Sequence, residues 1–443
     1  MVARARRVGR RLPRRSTVNQ MDQPASRTAP DAAPSGHLKE GLTMIDVVSI
    51  GVGSAVGVSI FSIMAPAAKV AGTGMLAALA LASIPMIIFA VVYAFMGSAV
   101  PRSGASFEWP ARFIHPFVGF MVAWLRVVGN TGALTVLTLV LVSYASRAVT
   151  LPQKPTMFVL LLAFYLANLF GVRIAGGVER VLVLFKLIAF AVFVVLGLSY
   201  VQPGNFQPLL GPGWGAMFAS LPLLVSLYMG IESAVEVGEE IRNVRAVIAK
   251  GIASAVILTI VVYVAVSSVA LRVLGAGALG TSVNAIYLTF TRFLFAMGRD
   301  GVLPAPLARV HPRWGTPHVA VTTVFVLAIA GLLLPSSLVF LFLAVSIPTM
   351  LKYLSNCWSA WRLVDHYPDL RARAHFALSR GAVKAWSIAG ILCGLVLIAA
   401  GLGADWRPYA VLGVWFVIGC LYWVARGQRM SQAMRTLQTE SAS

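Results

Sequence analysis

The sequence predicts an all-α protein that crosses a membrane about twelve times, and two observations indicate this fold class. Hydrophobic residues make up 58% of the 443 residues and charged residues only 12%, and the mean hydropathy is +0.83. A water-soluble globule of this size would lack polar surface. Apolar runs long enough to cross a bilayer recur along nearly the whole chain, and a backbone in hydrocarbon satisfies its own hydrogen bonds by forming helices.

The first 43 residues differ from the rest of the chain. An Arg-dense run from Arg4 to Arg15 precedes a stretch rich in Ser, Pro and Ala, a composition typical of disorder. We expect a basic cytoplasmic tail near anionic lipid, in preference to a transit peptide. Met21 is an alternative start.

The membrane domain is expected from residue 44 to 425, followed by a cytoplasmic C-terminal tail over 426–443. Its spans follow the apolar runs in order. They are predicted near 44–67, 75–98, 117–146, 156–173, 181–201, 215–238, 249–271, 277–298, 318–335, 338–360, 384–402 and 408–425.

The basic residues indicate orientation rather than a nucleic-acid partner, despite a formal net charge of +21. The loops after spans two, four, six, eight and ten hold fifteen Lys and Arg residues, and the opposite loops hold five. Cytoplasmic loops carry the excess of Lys and Arg. Both termini are therefore expected in the cytoplasm, with the protein in a bacterial plasma (inner) membrane.

No cofactor or metal is expected. The three cysteines, Cys357, Cys393 and Cys420, fall in or beside predicted spans without metal-ligand spacing. The spans also hold no His/Asp or Ser/His constellation, so an intramembrane enzyme is not favoured.

Two spans are interrupted by glycine at corresponding positions, which points to a binding site in transporter-like sequences. Span one holds three glycines and three serines between Ser49 and Phe61, and span six holds Gly230 followed by Glu232. The glycines could instead serve close helix packing. Facing broken helices would offer N–H groups to a carboxylate and C=O groups to an ammonium, the two groups of an amino acid.

Few charged residues are placed deep in the predicted spans. Glu232 is the carboxylate nearest the midplane, and it is either functional or a structural hydrogen-bond partner of an unwound backbone. The deep bases are Arg126, Lys186 and Lys352. Snorkelling to the cytoplasmic interface is the stronger interpretation for Arg126 and Lys352 and an even one for Lys186.

Four segments resemble those of the amino acid-polyamine-organocation transporter superfamily, and the resemblance covers about residues 44 to 425. Val58, Ser59 and Val244 depart from the family pattern. The segments are Gly57–Phe61, Pro101–Trp109, Gly238–Asn243, and Asn284–Arg292 with Ala296–Pro304.

The resemblance implies a 5+5 inverted repeat with discontinuous helices 1 and 6 and a substrate site between them. Tyr228 would be a gate. Lys186 matches the lysine that replaces a sodium ion in proton-coupled members, which implies proton-coupled or exchange transport. The implied substrate-binding residues are Gly53, Ser54, Gly57, Val58, Ser59, Tyr228, Met229, Gly230, Ile231 and Glu232.

The leading functional hypothesis is an amino acid permease working by alternating access, with spans one and six rocking against spans three, four, eight and nine. Its partners would be a small-molecule substrate and membrane lipid. A first alternative is a polyamine or amine transporter in which Glu232 supplies the counter-charge. A second is a receptor-like or degenerate permease that does not transport, because the connection over 272–280 between spans seven and eight is short.

Overall fold

A computed structural model of the chain describes residues 41–56, 60, 63–64, 67, 71–146, 151–170, 172–199, 213–270, 281–312, 315–331, 338–402 and 406–439. The α-helices in these ranges are α1 (Met44–Ala55), α2 (Met75–Ala99), α3 (Ala105–Phe113), α4 (Pro116–Ala145), α5 (Gln153–Leu169), α6 (Val172–Leu198), α7 (Trp214–Tyr228), α8 (Val244–Ala270), α9 (Thr281–Arg299), α10 (His318–Gly331), α11 (Leu338–His366), α12 (Pro368–Ala372), α13 (Arg380–Leu402) and α14 (Arg407–Thr439). Short 3₁₀ helices cover Gly72–Gly74, Ile231–Glu236, Gly238–Glu240 and Ala305–Ala308.

The all-α membrane fold is confirmed, and each predicted span overlaps one of these helices. Six described helices are long and apolar enough to cross a membrane by length and composition, and two shorter apolar helices, Met44–Ala55 and His318–Ile329, accompany them. The number of twelve crossings and the inverted repeat stay predictions.

Helix α1 begins at Met44 because Thr43 and Asp46 form a capping box. The Asp46 carboxylate accepts hydrogen bonds from the Thr43 backbone at 2.8 Å and from the Thr43 hydroxyl at 2.7 Å. The guanidinium of Arg180 donates to the other Asp46 oxygen at 2.6 and 3.1 Å. The cap therefore also fastens the start of α1 to α6.

The buried apolar side chains of the described residues form two clusters. The first, the bundle cluster, comes mainly from α1, α2, α7 and α8, with Ile50, Phe89, Tyr228 and Tyr263 among its members. The second, the scaffold cluster, comes mainly from α4, α5, α9 and α10, with members such as Phe120, Leu161, Phe293 and Val324. Helix α11 contributes to both clusters. The helices of predicted spans one, two, six and seven thus share one core, and those of spans three, four, eight and nine share the other.

Candidate functional site

Helix α7 breaks where Gly230 predicts an interruption of span six. Met229 is extended, with φ −64° and ψ 134°, and Gly230 has φ +105°, a conformation that L side chains rarely adopt. The chain then continues in two 3₁₀ turns until α8 begins at Val244. We call residues 229–240 the broken segment.

Helix α1 ends at Ala55, and Val56 is extended with ψ 91°. This end falls inside the glycine- and serine-rich stretch of span one. The predicted site residues Gly57, Val58 and Ser59 lie outside the described residues, so their role stays a prediction.

The end of α1 and the broken segment lie against one another. A Cβ atom added to Gly51 would lie 2.7 Å from the carbonyl oxygen of Ile231, and one added to Gly230 would lie 2.9 Å from the Cβ of Ser54. These glycines therefore permit the close packing that was the alternative to a functional role. The Ser54 hydroxyl is buried and has no hydrogen-bond partner among the described residues.

Tyr263 of α8 connects the two helix ends. Its hydroxyl oxygen lies 2.7 Å from the carbonyl oxygens of both Ala55 and Leu227. Tyr228, the predicted gate, is fully buried, donates a hydrogen bond to the Leu79 carbonyl at 3.1 Å and packs edge-on against the Tyr263 ring. Sequence reasoning missed Tyr263, because nothing in span seven distinguishes this tyrosine from a packing residue.

Glu232 has partners within the protein. One carboxylate oxygen lies 2.5 Å from the ammonium nitrogen of Lys352, and the other accepts a hydrogen bond from the Gly230 N–H at 3.2 Å. Glu232 is 1% exposed and Lys352 2% exposed. Snorkelling is therefore wrong for Lys352, because a carboxylate inside the protein attracts its ammonium. The hydrogen bond from the Gly230 N–H matches the structural alternative for Glu232, that of a hydrogen-bond partner for an unwound backbone.

The other carboxylates of the broken segment are paired in the same way, and with Glu232 they form the carboxylate series, Glu232, Glu236, Glu239 and Glu240. Arg126 of α4 binds Glu236 at 2.9 Å, and the Ser106 hydroxyl donates to the same carboxylate. Snorkelling is wrong for Arg126 too, since it is 7% exposed.

Helix α9 supplies the remaining two bases. Arg292 binds Glu240 through two nitrogens, at 2.6 and 3.2 Å, with both side chains fully buried. Arg299 binds Glu239 at 2.7 Å. The sequence analysis did not single out Arg292 as a deep base. Arg292 lies 52 residues from Glu240, so no local pattern pairs the two residues.

Helix α3, between predicted spans two and three, carries another buried carboxylate. Glu108 is fully buried, and its carboxylate lies 3.3 Å from Arg299 and 3.6 Å from both Arg102 and Arg112. Burial raises the pKa of the Glu108 carboxyl to about 7, against the opposing effect of the guanidiniums of Arg299, Arg102 and Arg112.

Lys186, the predicted proton-coupling residue, lies on α6 and is 1% exposed. Its ammonium has no hydrogen-bond partner among the described residues. Glu179 lies two turns earlier on the same helix, fully buried, and a Cβ atom added to Gly53 would clash with its carboxylate oxygen. This face of α6 therefore packs on α1 at a predicted site residue. Glu179 was not singled out from the sequence, although its spacing from Lys186 places both on one helix face.

A metal site is not evident in the described part of the chain, where no group of three His, Cys, Asp or Glu residues could hold an ion. The three cysteines are free.

Comparisons with known proteins agree with this architecture. The chain matches the family described as amino acid permease over residues 42–281 and again over 268–425. The branched-chain amino acid permease BcaP of Bacillus subtilis is 25% identical, covering 65% of this chain and 74% of the relative. The methylthioribose transporter of the same organism is 25% identical, over 67% and 76%. The branched-chain amino acid permease BcaP of Lactococcus lactis is 23% identical, over 89% and 96%.

These relatives are named as permeases and transporters, not as enzymes. The apolar helices and the family match together make this chain an integral membrane transporter. The two matched segments overlap at 268–281, around the connection that is short in the sequence. The chain belongs to the amino acid permease family.

Proposed function

We propose that the protein is a secondary transporter of amino acids that binds its substrate where the end of α1 meets the broken segment. The observation that carries this proposal is the approach of these two helix breaks, with Ser54 beside Gly230 and its hydroxyl without a partner among the described residues. An unsatisfied buried hydroxyl is costly, and a ligand polar group would satisfy it.

The carbonyl groups at the two helix ends support binding of an ammonium. The Tyr263 hydroxyl has one hydrogen to donate and lies equally close to the Ala55 and Leu227 carbonyls. It can satisfy one of them at a time. Both carbonyls also lie at the negative ends of helix dipoles, so a substrate ammonium has a favourable position beside them.

Alternating access is proposed from the two clusters. The bundle cluster holds α1 and α7, and the scaffold cluster holds α4, α5, α9 and α10. Because each cluster is packed within itself, one group of helices can rock against the other around the site.

Proton coupling is proposed for Lys186. An ammonium buried without a hydrogen-bond partner is costly, and releasing its proton removes that cost. Since Glu179 on the same face packs against Gly53, a movement of α1 would change the surroundings of Lys186. This gives substrate binding and proton release a common physical basis.

The amine-transporter alternative is weaker than the amino acid proposal, and the non-transporting alternative can be tested separately. Two named relatives carry branched-chain amino acids, but the methylthioribose transporter is equally similar, so relatedness alone does not decide the cargo. An amine cargo would need Glu232, which Lys352 already neutralises. The non-transporting alternative rests on the connection over 272–280, which lies outside the described residues.

Proteoliposome uptake of labelled alanine, leucine, glutamate and putrescine, with an imposed pH gradient and with or without sodium, tests the proposal. We expect amino acid uptake that follows the pH gradient without sodium. Lys186→Ala should abolish it, whereas Lys154→Ala, at an exposed lysine in the first turn of α5, should not. Sodium-dependent uptake that survives Lys186→Ala would contradict proton coupling. Uptake of putrescine alone would favour an amine cargo, and ligand binding without uptake a non-transporting protein.

A further inference from the structure

We propose that the ion pair between Lys352 and Glu232 is a charge filter that restricts the site to substrates with uncharged side chains. Lys352 supplies from within the protein the positive charge that Glu232 would otherwise take from a cationic substrate. This inference rests on the proposed function and deepens it by naming the substrate class.

The surroundings of the Lys352 ammonium form a complete cation site. The ammonium nitrogen lies 2.5 Å from Glu232, 4.6 Å from the centre of the Tyr353 ring and 5.6 Å from that of Tyr93. A carboxylate and two aromatic faces are the groups by which proteins bind ammonium ions. The site is therefore chemically suited to an amine and is filled by a side chain of the protein.

Neighbouring side chains hold this cage in place. The Asn356 amide donates to the Tyr93 hydroxyl at 2.6 Å, and the Tyr353 ring stacks on Phe89 with ring centres 4.5 Å apart. The Tyr353 hydroxyl lies 3.4 Å from the Gly230 N–H, at the break in α7. The cage therefore adjoins the proposed substrate position.

Charge balance makes the filter effective. Each member of the carboxylate series already has a basic partner within the protein. A substrate with a second ammonium would bring an unpaired positive charge into a buried region, which is strongly unfavourable. A zwitterion with an apolar side chain brings no such charge.

Removing the ammonium should reverse this preference. Lys352→Met leaves Glu232 buried and unpaired next to an empty aromatic cage, and the side-chain ammonium of lysine can then replace the missing group. Norleucine is the matched substrate, because it has the same straight four-carbon side chain without the ammonium.

The experiment measures uptake of norleucine and lysine by wild type, Lys352→Met and the charge-neutral double variant Lys352→Met/Glu232→Gln. Wild type should prefer norleucine. Lys352→Met should shift the ratio towards lysine by about tenfold or more, since about 1.4 kcal/mol of differential binding gives a factor of ten. The double variant should prefer norleucine again. Lys250→Met, at an exposed lysine of α8, is the control and should leave the ratio unchanged.

The outcomes separate the filter from the underlying function. Wild type that transports norleucine, with a ratio unchanged in Lys352→Met, overturns the filter alone. Wild type that transports no amino acid overturns the proposed function and the filter with it. If Lys352→Met does not elute as a single species, Lys352→Gln makes the same test, because its amide still donates to Glu232 without a charge.

Discussion

Gly51 determines how closely α1 approaches the broken segment. A Cβ atom at this position would lie 2.7 Å from the Ile231 carbonyl oxygen and 2.8 Å from the Cβ of Ala255. Neither atom belongs to a flexible side chain. We expect Gly51→Ala to cost about 1–3 kcal/mol through overpacking and to reduce amino acid uptake, because the two helix breaks are forced apart.

Thermal unfolding and uptake measure this effect. Gly413→Ala on α14 is the matched control, because a Cβ atom there meets nothing within 4 Å. It should match or exceed the stability of wild type, since Ala favours a helix over Gly. Equal melting temperatures and uptake for Gly51→Ala and wild type would show that α1 and the broken segment are not in this close contact.

Glu108 predicts a pH dependence of stability. Its pKa in the folded protein is raised from 4.5 to about 7, first by burial. Between these values the folded state holds a proton that the unfolded chain has lost, so the contribution of Glu108 to stability falls as the pH rises from about 4.5 to about 7. At about 1.4 kcal/mol per pH unit, the loss is at most about 3–4 kcal/mol.

Glu108→Gln tests the direction of this pH dependence, because the amide imitates the protonated carboxyl. The variant and wild type should melt at similar temperatures at pH 5, and at pH 8 wild type should be the less stable of the two. If wild type instead gains stability over the variant as the pH rises, attraction to Arg299, Arg102 and Arg112 outweighs burial.

At the scale of elements, the carboxylate series fastens the broken segment to α4, α9 and α11. Removing one partner of a buried ion pair costs about 3–5 kcal/mol, whereas replacing both can be nearly neutral. We therefore expect Arg292→Met to destabilise the protein strongly and Arg292→Met/Glu240→Gln to recover much of the loss. The pair is suited to this test because both side chains are fully buried.

A double-mutant cycle from thermal or denaturant unfolding measures the coupling between these two residues. Lys384→Met with Asp365→Asn provides a comparison pair, 2.9 Å apart and partly exposed. Its coupling should be the weaker of the two, because exposed ion pairs contribute little to stability. Similar couplings for the two pairs would contradict a special contribution from the buried Arg292–Glu240 pair.

The break in α7 was predictable, and the partners of its carboxylates were not. Gly230 and Glu232 lie within one apolar run, so a local pattern carries the signal. Lys352 lies 120 residues from Glu232 and Arg126 lies 110 from Glu236. No local pattern says which distant helix lies next to the broken segment. The sequence alone therefore favours snorkelling for Arg126 and Lys352, because their burial depends on tertiary packing.

For the whole molecule, the carboxylate series joins the two clusters, and this limits how the helices can move in the proposed transport cycle. The broken segment contributes Ile231, Ala234 and Val235 to the bundle cluster, while its carboxylates bind Arg126 and Arg292 on scaffold helices. Rocking of the bundle must therefore separate these pairs or bend the broken segment. We expect bending to need less free energy than separating the ion pairs, because the 3₁₀ turns of the broken segment have fewer and poorer hydrogen bonds than an α-helix.

Orientation is the remaining whole-molecule prediction, and it follows from the distribution of Lys and Arg among the loops. Arg373, exposed after α12, belongs to the basic side, and Lys154, exposed in the first turn of α5, belongs to the other. Cysteine placed at residue 373 should react with a membrane-impermeant maleimide in inside-out vesicles, and cysteine at residue 154 in right-side-out vesicles. Wild type is the control for its three native cysteines, of which Cys357 is buried. The opposite labelling pattern would place both termini outside the cell.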